Sequence, residues 1–331
     1  MDNILAVCDY EQMYVYRLTE YLNIRKAIPF EVMAFDSPEK FVRYARKHPV
    51  EVLLIAGDFL TKEIKDLSIS QIYILGEETM ASREEYPCIY KYQSAESIMK
   101  AIMGEYAKTG KMADCLKNEN REVQIVGVYT PVGRCLQTSF AIVMGQLLAK
   151  KKRTLYINFE PFSGFSRLLQ KDFDNDLIDL MYFLNGGRDK FVYKIGSMTE
   201  TIGNLDFIPP AKSFLDLAEI GGPDWEVLIH EIIRGTDYEI IILDLSDNIR
   251  GLFDILKQCH KIYTIVKSDG IAMAKIDQYE KLLEFTENAG ILSKTNKQEL
   301  PIFKEIGVSM ENLPYSQLAE YMREIIRKDF V

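Results

Sequence analysis

Residues 127–141 read GVYTPVGRCLQTSFA. They form a phosphate-loop frame between an apolar strand and an apolar helix, but two of the residues such a loop depends on are missing. A loop of the form G-x-x-x-x-G-K-[ST] uses its second glycine to let backbone N–H groups curl around phosphates, and its lysine to reach the β and γ oxygens. Leu136 and Gln137 stand at those two places. Gln137 can donate hydrogen bonds but brings no charge, and a partly shielded ammonium–phosphate pair is worth about 4 kcal/mol at ~4 Å. Leu136 puts a branched side chain where a phosphate loop calls for positive φ, a conformation glycine adopts freely and leucine does not. Thr138 keeps the hydroxyl that would hold Mg²⁺. Gly133, Arg134, Cys135 and Ser139 complete the stretch from which nucleotide-binding residues would be drawn.

Around this loop lies a chain of 331 residues, 47% hydrophobic and 27% charged, with room for two domains of ordinary size. Its net charge of −9 argues against a nucleic-acid partner held by general attraction to phosphates. The five cysteines show no CxxC spacing and there are three histidines, so neither a disulfide framework nor a zinc site is expected. The first eight residues read as a strand rather than a leader, and no apolar run has membrane-spanning length. A cytoplasmic chain is expected.

Short apolar runs at 3–8, 30–35, 51–56, 71–75 and 87–91 alternate with helical stretches near 10–23, 37–47 and 94–107, the βαβ rhythm of a parallel sheet. The segment 108–121 is polar, lysine-rich and without periodicity. The expected organisation is therefore a first domain over 1–108, a linker over 109–121 and a second domain over 122–331. In the second domain strands are expected at 123–129, 154–158, 205–209, 239–244 and 261–266. Helices are expected at 138–150, between about 164 and 185, and at 224–234, 249–258, 270–287 and 315–328. Both halves read as α/β, doubly wound parallel-sheet domains.

The first domain resembles a response-regulator receiver, a flavodoxin-like fold. In that family an acidic pair follows strand one, a phospho-accepting aspartate ends strand three and a lysine ends strand five. Asp9 and Lys91 match the first and last of these. Strand three ends at Ala56, Gly76 stands where strand four should carry a hydroxyl, and the nearest acid, Asp58, falls two places late. Without a carboxylate at the accepting position aspartyl phosphorylation has no nucleophile, so the resemblance implies an atypical receiver that serves as an interaction module.

Three stretches of the second domain together resemble the MinD/ParA group of P-loop ATPases. The group's K-G-G-x-G-K-[ST] loop aligns with Val132 to Thr138, and both lysines are gone. Its Asp-x-Asp after the next strand aligns with Asn158 and Glu160. Its Walker B strand aligns with Ile240 to Asp244. An atypical receiver in front of such a domain is most similar to the TadZ/CpaE proteins of tight-adherence (Flp-type) pilus assembly. That resemblance implies a dimeric localisation hub that recruits pilus or secretion machinery, with hydrolysis lost and at most weak binding of ATP or ADP with Mg²⁺. The implied metal-side residues are Thr138 and Asp244, and the implied catalytic candidates are Glu160 and Asp244. Partners would be proteins, including a second copy of the chain or an intact ATPase relative.

Two other functions stay open at this stage. One is an active switch ATPase using Arg134, Glu160 and Asp244 with unusual loop geometry, Arg134 supplying charge bidentately. The other is a signalling regulator that acts through the receiver-like half. The run Lys150-Lys151-Lys152-Arg153 reads as a solvated helix C-terminus. Leu318, Tyr321, Met322, Ile325, Ile326 and Phe330 form a helical stripe, expected to dock on the sheet rather than lie on a membrane surface.

Overall fold

The computed structural model describes residues 4–25, 30–77, 86–107, 122–184, 188–303 and 309–330. The chain divides into two compact units, Met1–Lys117 and Asn118–Val331. The linker expected over 109–121 lies outside the described residues, as does residue 108.

Unit 1 contains strands β1 Ile4–Cys8, β2 Glu31–Phe35, β3 Val50–Ala56, β4 Ile69–Gly76 and β5 Cys88–Tyr90. They form one sheet in the order β2-β1-β3-β4-β5, with every pair parallel. This is the flavodoxin-like order, whose switch point lies between the carboxyl ends of β1 and β3. Strands β1 and β3 are central and almost wholly buried, so they read as unbroken apolar runs. The helix Pro38–Ala45 starts where Ser37 caps the Lys40 amide and proline takes the first turn.

Unit 2 contains β6 Gln124–Val128, β7 Thr154–Asn158, β8 Glu200–Ile202, β9 Leu205–Ile208, β10 Ile240–Asp244, β11 Lys261–Val266 and β12 Thr295–Glu299. Their order is β12-β11-β6-β10-β7-β9-β8. All neighbours are parallel except β8, which runs antiparallel to β9 at one edge and makes this sheet mixed. Alternate residues of β10 enter different cores. Ile241 and Leu243 pack with Trp225, Leu228 and Ile232, while Ile240 and Ile242 pack with Phe140, Val143 and Met144 of the helix Gln137–Leu148. Helices thus cover both faces.

Seven of the described elements were not legible from periodicity: β8, β12, the helices Lys62–Lys65, Arg188–Met198, Phe214–Glu219 and Gly290–Ser293, and the 3₁₀ turn Met310–Tyr315. Strand β12 reads Thr-Asn-Lys-Gln-Glu, without an apolar residue, because it pairs on one side only and presents the other as a polar edge. Arg153 departs from the solvated cation expected of it. Its guanidinium lies 2.8 Å from Asp237 and 3.3 Å from Asp206 and packs over the Tyr238 ring. No helix among the described residues is long and apolar enough to cross a membrane.

The stripe on the last helix, Gln317–Asp329, is core. Leu318, Ala319 and Met322 are fully buried against the helix that follows the phosphate-loop frame, and Tyr321, Ile325, Ile326 and Phe330 pack beside them. Met322→Ala should therefore cost about 2–5 kcal/mol. Urea unfolding followed by Trp225 checks this, because the chain's one tryptophan is buried in the same unit. A stripe held in reserve for a membrane would show almost no loss.

Candidate functional site

The site lies at the carboxyl ends of β6, β7 and β10, where open parallel sheets bind ligands. Register brings its polar residues together: Asp244 is the Cα partner of both Val128 on β6 and Asn158 on β7. Tyr156 and Asn158, two residues apart on β7, point to the same face as Asp244. On that face lies the helix Gln137–Leu148, so its first residue, Gln137, begins beside the end of β10.

Asp244 is completely buried and surrounded by donors. The Gln137 amide donates to its Oδ1 at 2.6 Å. Its Oδ2 accepts from the Tyr156 hydroxyl at 2.8 Å and from Asn158 Nδ2 at 3.0 Å. The Thr138 hydroxyl adds a further favourable approach to the carboxylate. Burial raises the Asp244 pKa, and these donors, Gln137 first, pull it back. A carboxylate has about four lone-pair sites, and Gln137, Tyr156 and Asn158 take three of them. The Mg²⁺ expected on Thr138 and Asp244 would have to share the aspartate with these three donors, two of which already fill Oδ2.

Gln137 does not reach over the loop as a phosphate ligand would. Its side chain turns back into the sheet, and its two amide hydrogens go to Asp244 and to the Leu245 carbonyl at 2.8 Å. Glu160 Oε1 lies 3.5 Å from the same nitrogen. Glu160 itself is fixed by its backbone N–H, which donates to Asn158 Oδ1 at 3.0 Å. Desolvation, then the charges of Asp244 and Asp247, push the Glu160 carboxyl up to about 7. The segment after β10 is tied in as well, with the Ser246 hydroxyl donating to the Phe159 carbonyl at 2.9 Å.

The loop backbone turns left-handed in spite of its residues. Gly133, Arg134 and Leu136 all have positive φ, at 72°, 51° and 70°. For Arg134 and Leu136 the left-handed conformation costs about 1–2 kcal/mol each. Leu136 is the N-cap of the helix and makes no side-chain cap, so the first-turn N–H groups have no such partner from it. Arg134 is exposed and Ser139 half-buried in the first turn. Cys135 is buried beneath the loop in the apolar core, with its thiol pKa raised chiefly by desolvation.

No motif or spacing points to Tyr156 or to two lysines that brace the loop from distant elements. Lys267, after β11, donates to the Arg134 carbonyl at 3.2 Å, and Lys275, on the helix Gly270–Phe285, donates to the Val132 carbonyl at 3.4 Å. They lie 133 and 143 residues along the chain from their acceptors. Only the sheet order, which sets β11 beside β6, brings them there.

Two measurements follow from this geometry. Gln137→Met keeps length and removes the donor, which should cost about 1.5–3 kcal/mol, as for a hydrogen bond to a charged group; urea unfolding reads the loss. Glu160 binds its proton more tightly folded than unfolded, because its folded pKa of about 7 lies above its ordinary 4.5. Its contribution to stability is thus greatest below the unfolded value and is lost as pH rises through the folded one. Between about pH 5 and about pH 8 the wild type should lose stability that Glu160→Gln retains, read as the difference between their urea midpoints.

No protein-family model matches the chain, and no curated protein matches it. Among solved structures it is similar to a ParA family ATPase from Chlorobium tepidum TLS, at TM-score 0.46 and 17% identity over 59% of this chain and 80% of that one. A putative plasmid partition protein from Borrelia burgdorferi B31, bound to AMPPNP, matches at TM-score 0.43 and 14% identity over 63% of this chain and 84% of that one. The MinD cell division protein of Aquifex aeolicus matches at 0.42 and 17% over 54% and 70%. Likeness at this level assigns the chain no activity.

Proposed function

We propose that this chain is a non-hydrolysing localisation and assembly hub, resembling the TadZ/CpaE proteins of tight-adherence pilus or secretion systems. It acts in the cytoplasm by holding protein partners in place rather than by turning over nucleotide. The observation that carries this reading is the Gln137 amide bound to both Asp244 and the Leu245 carbonyl. Phosphoryl transfer depends on cations and on a positioned nucleophile. Here the lysine's place holds an uncharged side chain already committed to the sheet, and the aspartate that would orient a metal is committed in return.

The retained left-handed backbone at Gly133, Arg134 and Leu136 supports weak binding of ATP or ADP as glue between copies of the chain. Arg134, exposed on the loop, is the side chain best placed to meet such a phosphate. The unit also offers apolar surface near this mouth. Phe162, two residues past Glu160, is 82% exposed and sets its ring 5.5 Å from that of Phe214, tilted by 48°, and Phe214 is followed by exposed Leu215. Homodimers, or pairing with an intact ATPase relative, are assigned to the phosphate-loop unit. Pilus or secretion proteins are the class of partner recruited.

The wild-type chain should release phosphate from Mg-ATP no faster than buffer, and isothermal titration with Mg-ATP should show weak binding or none. Turnover at the rate of an ordinary switch ATPase would instead support the rival reading built on Arg134, Glu160 and Asp244.

A further inference from the structure

A second buried charge cluster lies at the carboxyl end of the unit 1 sheet, outside the site described above. Asp9 follows β1 and Lys91 follows β5, and their side chains are 5% and 4% exposed. The Lys91 ammonium lies 2.6 Å from Asp9 Oδ2 and 2.9 Å from Glu11 Oε1. Asp9 and Lys91 are each held from a second side, while the Glu11 side chain is 57% exposed. Asp9 Oδ1 accepts the Glu11 backbone N–H at 3.0 Å. The Lys91 N–H donates to the Gly76 carbonyl at 2.7 Å, and its carbonyl accepts the Tyr14 hydroxyl at 3.2 Å. The ammonium also lies 4.9 Å from the centre of the Tyr14 ring and 5.7 Å from that of Tyr92.

Burial alone would strip Lys91 of its charge. The hydrogen bonds and charges of Asp9 and Glu11 more than offset that, and its pKa lies above the ordinary lysine value. Two carboxylates directed at one point are the usual protein contribution to a Mg²⁺ or Mn²⁺ site, and here that point holds a nitrogen on a fixed stem. The donor set does not fit a divalent ion while Lys91 is in place. Asp58, the nearest acid past β3, is exposed on the following loop.

We propose that Lys91 is a tethered cation that fills the place between Asp9 and Glu11 which a divalent metal ion would take. It fixes this end of the sheet in one state that neither metal nor a phosphoryl group switches. A tethered charge acts at high effective concentration, so free divalent ions compete poorly with it. Removing it leaves a buried, uncompensated carboxylate at Asp9, among the costlier changes to a buried pair.

Amide hydrogen exchange of the full chain, read by mass spectrometry over residues 4–11 and 86–93, tests the proposal in chelator and in excess Mn²⁺ without nucleotide. Wild-type protection should be the same in both, and this arm needs no variant. Lys91→Met should lose about tenfold or more of its protection in chelator and regain part of it in Mn²⁺. Asp9→Asn with Lys91→Met should show no Mn²⁺ response. Wild-type protection that rises with Mn²⁺ overturns the proposal, as does a Lys91→Met chain on which Mn²⁺ has no effect.

Discussion

The buried carboxylate of Asp244 constrains everything around it. A charge in the middle of a parallel sheet is tolerated only when its oxygens are hydrogen-bonded. In this chain the donors come from two separate elements: Gln137 at the start of a helix, and Tyr156 and Asn158 on β7. Satisfying Asp244 therefore fixes where the helix begins, how β7 registers on β10, and the direction in which the loop turns. The loop's left-handed residues, costly for Arg134 and Leu136, persist because the helix after them is held at its first residue.

The same constraint explains why the site looks like a phosphate site yet is closed as one. A lysine at 137 would bring a charge that can be shared between a phosphate and the aspartate. A glutamine brings two hydrogens, and the sheet takes both. Glu160, with its raised pKa beside Asp244 and Asp247, completes a cluster in which negative charge is contained by burial and amide donors rather than by metal or lysine. Unit 1 solves the same problem in another way, with the Lys91 ammonium between Asp9 and Glu11.

Much of this was legible in the sequence because the chemistry is local. Ile240 to Asp244 reads as a buried strand ending in an acid, and GVYTPVGRCLQTSFA reads as a phosphate-loop frame with two losses. Asp9 and Lys91 could each be placed at a strand end. What could not be read depends on which elements become neighbours. Nothing in the spacing shows that Gln137 turns inward rather than outward, that Tyr156 shares a face with Asp244, or that Lys267 and Lys275 brace a loop far back along the chain. Strand β12 was illegible for a different reason: a polar edge strand has no periodic apolar signal to detect.

Gln137 belongs to the sheet and not to a ligand. A crystal structure of the full chain grown in excess Mg-ATP tests it most directly. The Gln137 amide should still lie on Asp244 Oδ1 and the Leu245 carbonyl, with any nucleotide held by the loop backbone and Arg134 alone. A Gln137 side chain swung onto the γ-phosphate, with Mg²⁺ drawn to Thr138 and Asp244, would contradict it.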